Sequence, residues 1–244
     1  MSLSLVTRQH YGYHRNMDVE PSIAALGAMI AVPARANILS ALFDGRALTA
    51  SELAFAAGVT AQTTSSHLFK LVDAGLLVVE QSGRHRYYRL SSPAVAEALE
   101  PLAHISPHRP TPARGRPRAL EQLREARLCY DHLAGRLGVA VTEAMISRGL
   151  LVLLGRDFDL STPGATFCLD LGIDVAAVRA QRRVFARQCL DWSERKLHLS
   201  GALGAAIAKS FFDLKWLQRT ERARGLVLTD AGRIALKDQI GLQY

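Results

Sequence analysis

The sequence predicts a mainly α protein with small β-hairpins, divided into a compact N-terminal domain and a mostly helical C-terminal domain of two related units. Apolar residues recur at spacings of three and four through most of the chain, which is typical of helices. Two short extended runs interrupt this period near residue 80, and a ten-residue pattern occurs twice in the second half. With 49% apolar residues the chain can fill two cores, which excludes global disorder.

Charge and composition limit the class of protein. The 244 residues include 30 Lys and Arg against 22 Asp and Glu, a net charge of +8. This favours sequence-independent contact with polyanions and says nothing about fold. No apolar run reaches about 18 residues, the length of a membrane span, and residues 1–20 have no signal-peptide pattern. We therefore expect a cytoplasmic protein with no membrane partner. Three cysteines are too few for a disulfide framework.

The predicted helices of the N-terminal domain follow a tail of residues 1–19. An apolar helix face begins at Ile23, and Pro33 opens a second helix, because proline is tolerated in a first turn. Residues 49–57 begin with a capping-box pattern and end at a glycine. A fourth helix is predicted over residues 61–73, after a threonine that can cap it.

A change of period after the fourth helix predicts a hairpin. Residues 76–80 and 85–90 are β-rich runs joined by a turn that contains glycine. Pro93 then begins a fifth helix. A helix, a glycine turn, a second helix and a β-hairpin wing, in this order, predict a winged helix-turn-helix domain over residues 20–103.

Three segments in this domain carry a family resemblance: PARANILSAL, SELAFAAGVTAQTTSSHLFKLVDAGLL and GRHRYYRL, in that order. Through them residues 33–103 resemble the ArsR family of bacterial winged-helix repressors. The resemblance implies a sequence-specific transcriptional regulator, and more specifically a repressor that an effector releases from DNA. It also implies a homodimer built from the terminal helices of the domain. Two-fold pairing of small modules fits a palindromic double-stranded DNA operator.

The DNA-binding residues are predicted on the fourth helix and on the hairpin tip. A recognition helix reaches base edges with its N-terminal side chains, and a basic wing contacts phosphates or the minor groove. Taken singly, a polar helix face or a charged turn is also compatible with plain solvated surface. The predicted set is Thr60, Gln62, Thr63, Thr64, Ser65, His67 and Lys70 on the helix, with Arg84, His85 and Arg86 on the wing.

Residues 104–118 are predicted to be a linker. They contain four prolines, four arginines and no acidic residue. Such a segment is extended and basic, and it either lies along DNA or serves as a solvated tether.

A repeat dominates the C-terminal domain, residues 119–244. HLAGRLGVAV, from His132, and HLSGALGAAI, from His198, are identical at six of ten positions. We therefore predict two related units, 119–175 and 180–244, each with the order helix, helix, short strand, helix. Two copies are too few for an open solenoid, so we expect them to pack together as an effector or oligomerisation domain.

Candidate effector residues come from the same repeat. Cys129 and His132 are predicted on one helix face, with Cys189 and His198 as their counterparts. The four side chains suit a soft metal ion, the two thiols suit a redox pair, and buried structural roles are the third alternative. The family's metal positions on the fifth helix are represented only by Glu97, Glu100 and His104, too few to assign a site.

Two other interpretations stay open. Aromatic residues of the C-terminal domain are candidates for lining an apolar effector pocket, namely Phe158, Trp192, Phe211, Phe212 and Trp216. The alternative class of protein is a thiol-dependent enzyme with a winged-helix appendage and Cys129 or Cys189 as nucleophile. No phosphate-binding loop or dinucleotide fingerprint supports it, so no catalytic residue is assigned and the expectation is a protein that is not an enzyme.

Overall fold

The computed structural model describes residues 22–106, 118–220 and 225–244. The predicted tail 1–19 and most of the predicted linker 104–118 lie outside these residues. The N-terminal elements are α1 (Ile23–Ile30), α2 (Pro33–Ala41), β1 (Leu48–Thr49), α3 (Ala50–Ala57), α4 (Ala61–Asp73), β2 (Leu77–Ser82), β3 (His85–Leu90) and α5 (Pro93–Ile105). They form a winged helix-turn-helix, as predicted, with an antiparallel sheet in the order β1-β3-β2.

Helix caps fix the helix-turn-helix. The Thr49 hydroxyl accepts the backbone N–H of Glu52, whose carboxylate accepts the Thr49 N–H, so the predicted capping box is present. Gly58 ends α3 at φ +68°, a left-handed conformation that favours glycine. Thr60 then caps α4 by accepting the N–H of Thr63. Each cap contributes about 1 kcal/mol and sets the direction in which α4 leaves the turn.

Strand β1 was not predicted, and α5 extends two residues beyond the predicted domain end at residue 103. A strand of two residues has no measurable period, and Thr49 in it also serves as the cap of α3. Pairing with Tyr87 and Tyr88 of β3 gives β1 its strand conformation, so a tertiary contact decides it. Tyr88 is buried in the core and Tyr87 is half-buried, because successive side chains of a strand point to opposite faces of the sheet.

Helix α1 is apolar and has no buried residue. Ile23 is 84% exposed and Leu26 is 37% exposed. In the part of the chain that the structure describes, no single helix has the length and apolar character to cross a membrane; α1 and α2 reach them only when joined across a bend of 87°.

The C-terminal domain consists of helices and short hairpins around one core. Its elements are α6 (Arg118–Glu125), β4 (Arg127–Cys129), β5 (His132–Ala134), α7 (Gly135–Ser147), β6 (Leu151–Leu154), β7 (Asp157–Leu160), α8 (Thr162–Asp170), α9 (Val175–Arg179), β8 (Arg187–Leu190), β9 (Leu197–Ser200), α10 (Gly201–Asp213), β10 (Leu217–Arg219), β11 (Leu226–Leu228) and α11 (Asp230–Ile240). The order strand, strand, helix, strand, strand, helix thus occurs in 127–170 and again in 187–240.

The predicted order helix, helix, strand, helix is wrong, because a hairpin stands where the helix carrying Cys129 and His132 was expected. Strands β4 and β5 pair with each other, and β8 and β9 pair at the edge of the sheet β6-β7-β8-β9. A spacing of three places two residues on one helix face, but it also separates cross-strand partners joined by a two-residue turn. Tyr130 has φ +59° in that turn, which no helix allows.

Helices and hairpins of the two halves pack crosswise. Helix α7 lies against β9, while α10 lies against β5. Phe158, Phe211 and Trp216 are buried in this shared core, so the predicted aromatic effector pocket is wrong for these three residues. They pack because each lies on the inner face of its element, where apolar area is removed from water.

Glycines permit the close approach of α7 and α10 to the strands before them. A Cβ at Gly138 would stand 2.4 Å from the carbonyl oxygen of Leu133. At Gly204 it would stand 2.6 Å from the carbonyl oxygen of Leu199 and 3.2 Å from the Cβ of His132. The glycines of the repeated pattern are therefore required by packing, and they bring the strand residues His132 and His198 into the interior.

Candidate nucleic-acid interface and metal-ligand cluster

The N-terminal half of α4 presents polar side chains to solvent. Thr60, Gln62, Thr63 and Ser65 are exposed, and Lys70 is exposed one and a half turns further on. The Thr60 and Thr63 hydroxyls lie 2.9 Å apart, so both are held by the cap. This face has the side-chain chemistry that reads base edges and phosphates.

Two predicted DNA contacts on α4 are placed differently. Thr64 is 0% exposed, and its hydroxyl donates to the carbonyl oxygen of Thr60, so its prediction as a DNA contact is wrong. The reason is helical period: Thr64, Leu68 and Leu71 form the stripe that faces the core. His67 is half-buried, and its Nδ1 atom is buried without a hydrogen-bond partner.

The wing carries its basic residues at the tip. Arg84, His85 and Arg86 are all exposed, and His85 pairs in register with Ser82 at the end of the β2–β3 ladder. Arg84 Nε donates to His85 Nε2 over 3.3 Å. The positive tip and the polar face of α4 belong to one small domain, as DNA contact by helix and wing requires.

Four side chains from the two C-terminal hairpins meet inside the protein. Cys129 is the cross-strand partner of His132, and Cys189 is the cross-strand partner of His198. One donor atom from each of the four residues lies within 4.8 Å of all the others. The two Sγ atoms are 3.8 Å apart, and the two Nε2 atoms are 3.1 Å apart.

Equivalent strand positions explain the unequal spacing of these pairs in sequence. A turn of two residues joins Cys129 to His132, whereas residues 190–197 make a longer connection from Cys189 to His198. Both connections return the chain to the same register, with histidine opposite cysteine. The structure thus brings together all four predicted effector residues, on strands rather than helices.

An aspartate carboxylate lies near the Nδ1 atom of each histidine. Asp131 Oδ1 lies 3.4 Å from His132 Nδ1, and Asp191 Oδ2 lies 3.8 Å from His198 Nδ1. Burial raises the pKa of Asp131, but hydrogen bonds with His132 and Arg183 outweigh it and keep the pKa below its usual value. Burial also opposes ionisation of Asp191, yet the charge of Arg127 and other hydrogen bonds lower its pKa. Both carboxyl groups are therefore ionised.

The thiols differ in their pKa values. Hydrogen bonding with Cys129 lowers the pKa of Cys189, burial opposes this, and the two histidines lower it further. Burial raises the pKa of Cys129, and the neighbouring Cys189 and Glu100 raise it again. For His132 burial lowers the pKa, but its bonds to Asp131 and Cys189 outweigh burial and raise it to about 9. In this cluster Cys189 therefore ionises more readily than Cys129.

A cavity of about 350 Å³ opens between α5 and the hairpins, and Cys129, His132 and Cys189 line it. The Cys129 thiol donates to the carboxylate of Glu100, a residue of α5 that is only 6% exposed. Nearby, Arg187 pairs with Glu97 of α5 at 2.9 Å. Glu100 is the residue that sequence reasoning left unassigned; its signal was an acidic group beside Leu99 on an apolar helix face.

Together, the exposed face of α4, the basic wing and the three-stranded sheet define a winged helix-turn-helix DNA-binding protein. Residues 30–80 match the family described as "Helix-turn-helix domain". The chain belongs to the ArsR family of winged helix-turn-helix transcriptional regulators.

Its relatives include an uncharacterised HTH-type transcriptional regulator, YdfF, from Bacillus subtilis, which is 39% identical over 225 residues, 92% of this chain and 100% of YdfF. The HTH-type transcriptional regulator CmtR of Mycobacterium bovis is 37% identical over 86 residues, 35% of this chain and 72% of CmtR. Among solved structures, the cadmium metal-sensor CMTR from Mycobacterium tuberculosis is 33% identical, with 38% of this chain and 100% of that chain covered and a TM-score of 0.31. YdfF and CmtR are both named as transcriptional regulators.

Proposed function

We propose that this protein is a dimeric, sequence-specific transcriptional repressor that binds a palindromic operator in the cytoplasm and is released by an effector sensed in its C-terminal domain. The observation that carries the proposal is the exposed Thr60–Ser65 face of α4 next to the basic wing tip. Gln62 is the candidate for direct base readout, and Arg84 and Arg86 are candidates for phosphate or minor-groove contact.

Dimerisation is supported by the exposure of α1. This helix is almost entirely apolar, yet none of its residues is buried in the single chain. An apolar helix left uncovered marks an interaction surface. A two-fold partner that covers α1 and α5 would place two copies of α4 side by side for a palindromic site.

The C-terminal domain fits two related units that pack as a pseudo-symmetric pair, 119–175 and 180–244. The crosswise packing of α7 and α10 on the other half's hairpin supports this arrangement. The matching glycines, Gly138 and Gly204, support it as well, because each lies against the carbonyl oxygen of the strand leucine before it.

The DNA interface is tested by fluorescence-anisotropy titration of full-length protein with DNA from upstream of its own gene and with a scrambled duplex. Gln62→Ala should reduce the preference for the specific duplex by about 5- to 150-fold, which corresponds to the loss of one bidentate base contact of about 1–3 kcal/mol. Arg86→Ala should weaken binding to both duplexes and lower the salt slope by about 1. Gln181→Ala and Arg182→Ala, which change exposed residues of the C-terminal domain, are the matched controls. The interface would be refuted if Gln62→Ala and Arg86→Ala bound both duplexes as the two control variants do.

Dimer formation is tested by sedimentation of Ile23→Asp, which places a charge on the exposed face of α1. We expect a monomer with much weaker operator binding. Phe55→Asp, at an 83% exposed apolar residue of α3, is the control that should stay dimeric. A dimer in both variants would contradict the role of α1.

The alternative class, a thiol-dependent enzyme, is separated by a turnover assay. A regulator releases no product from thioester or peptide substrates under conditions in which it binds its operator. Turnover that is lost in Cys189→Ser and kept in Cys168→Ser would favour the enzyme instead.

A further inference from the structure

We propose that Cys129, His132, Cys189 and His198 bind one thiolate-preferring divalent metal ion, of the Zn²⁺ or Cd²⁺ type, and that this ion is the effector that changes DNA binding. The regulatory half of this inference rests on the proposed function; the binding site rests on the geometry of the cluster alone. Two sulfurs and two imidazole nitrogens are a donor set typical of tetrahedral zinc.

The sulfur–sulfur and nitrogen–nitrogen distances are close to those of a tetrahedral site. With Zn–S bonds of about 2.3 Å, two sulfur ligands of one tetrahedral ion lie about 3.8 Å apart. The Sγ atoms of Cys129 and Cys189 are separated by 3.8 Å. With Zn–N bonds of about 2.0–2.1 Å, two nitrogen ligands lie about 3.3 Å apart. The Nε2 atoms of His132 and His198 are separated by 3.1 Å. The sulfur-to-nitrogen distances, all within 4.8 Å, need to shorten to about 3.5 Å for one ion to bind all four atoms.

The histidines are oriented as metal ligands are. Each Nδ1 faces an ionised carboxylate, of Asp131 or of Asp191, while each Nε2 faces the cluster. The contact with Asp131 favours a proton on Nδ1 of His132 and directs its Nε2 towards the metal, whereas Nδ1 of His198 lies 3.8 Å from Asp191 without a hydrogen bond. The two Nε2 atoms are 3.1 Å apart and share one hydrogen bond, so an ion that replaces the shared proton would take a lone pair from each ring.

The surroundings of the site meet the remaining requirements for a metal centre. The ligands lie on paired strands, so their backbone positions are fixed. The cavity lined by Cys129, His132 and Cys189 supplies an entry path. Arg183 and Arg127 hold the two carboxylates in place. Ligand number, geometry, supporting hydrogen bonds and access are the properties by which a metal site is judged.

Glu100 connects this site to the DNA-binding domain. Its carboxylate accepts the thiol proton of Cys129 across the boundary between β4 and α5. A divalent ion takes Cys129 as a thiolate, and the thiol proton passes to solvent. Glu100 then loses its donor and faces a sulfur that carries negative charge, so the contact between α5 and β4 must change. Because α5 also belongs to the proposed dimer surface, this change reaches the spacing of the two recognition helices.

Metal binding is tested on reduced, chelator-treated, full-length protein titrated with Co²⁺ and then with Zn²⁺ or Cd²⁺. We expect one Co²⁺ per chain, with thiolate-to-cobalt charge-transfer absorption and the intense visible bands of tetrahedral cobalt, displaced by one equivalent of Zn²⁺. Cys189→Ser and His198→Gln should lose these bands, and Cys168→Ser, the matched control, should keep them. Far-UV circular dichroism confirms that each variant is folded. Absence of stoichiometric binding, or unchanged spectra in Cys189→Ser, would overturn the site.

The coupling is tested by repeating the operator titration with and without one equivalent of Zn²⁺ or Cd²⁺. We expect operator affinity to fall at least tenfold with metal, and Glu100→Gln to keep the metal stoichiometry but lose most of that change. Full metal binding with unchanged operator affinity would overturn the regulatory half. A response to hydrogen peroxide with a Cys129–Cys189 disulfide, and none to metal, would overturn the metal in favour of thiol redox. Absence of specific DNA binding by the metal-free protein would instead be a failure of the proposed function.

Discussion

The buried ion pair between Arg127 and Asp191 offers the sharpest test of how the C-terminal domain is held together. Both side chains are almost fully buried, and Arg127 Nη2 lies 2.8 Å from Asp191 Oδ2. Asp191 also accepts the backbone N–H of Gly135 at 2.7 Å and that of Ser193 at 2.8 Å. The carboxylate thus joins β4, the start of α7 and the loop after β8 in one network.

Replacing Asp191 with Ala should lower the free energy of unfolding by about 3–5 kcal/mol, because Arg127 is left buried without a counter-charge. Such a loss is a large fraction of the roughly 5–15 kcal/mol of a typical domain. Urea unfolding followed by tryptophan fluorescence measures it, since Trp192 and Trp216 both lie in this domain and the guanidinium of Arg127 lies 4.5 Å from the ring centre of Trp192. The measurement is made with chelator present, so that metal binding does not contribute.

Two further variants define the result. Asp213→Ala removes an exposed carboxylate that pairs with Lys209 on one helix, and it should cost less than about 0.5 kcal/mol. The double variant Arg127→Met/Asp191→Leu should recover much of the stability lost in Asp191→Ala, because it leaves no unpaired buried charge. A loss below about 1 kcal/mol in Asp191→Ala, or no recovery in the double variant, would refute the electrostatic reasoning.

Three other outcomes follow from the packing and the DNA interface. Gly204→Ala should destabilise the protein by about 1–3 kcal/mol, because the added Cβ meets a backbone carbonyl. Gly27→Ala should be neutral or stabilising, because no heavy atom lies within 4 Å of the added Cβ. Thermal unfolding distinguishes the two variants. Thr64→Val should leave operator affinity within about twofold in anisotropy titrations, since a buried side chain makes no DNA contact; a loss as large as that of a base contact would contradict its placement. The pair Arg84→Ala/Arg86→Ala should lower the salt slope of DNA binding by about 2, and an unchanged slope would exclude both from phosphate contact.

Most of the N-terminal domain was predictable because its signals are local. The predicted span 61–73 coincides with α4, and both helix caps lie at the threonines that the pattern indicated. The hairpin and its basic tip followed from the change of period. What local pattern did not give was β1, whose strand conformation depends on pairing with β3, and the burial of Thr64, a polar residue on the core side of its helix.

In the C-terminal domain the residues of the site were predictable and their geometry was not. The repeat singled out Cys129, His132, Cys189 and His198, and these four meet. The helix assigned to the first pair was wrong, because a spacing of three fits both one helix turn and a two-residue hairpin. Only the left-handed conformation of Tyr130 and the pairing of β4 with β5 decide between them.

By itself, then, the sequence determined the winged helix-turn-helix and the polar and basic groups of its DNA face. It also determined which residues form the cluster. These features were readable because caps, turns and periodicity act within a few positions along the chain. Tertiary structure decided which of those groups are exposed. It also decided how two hairpins some 60 residues apart bring sulfur and nitrogen atoms close together, and that Glu100 of α5 contacts Cys129. These exposures and distances depend on long-range packing, in which glycines of α7 and α10 let backbones approach and a buried ion pair fixes the hairpins. No local pattern in the chain encodes them.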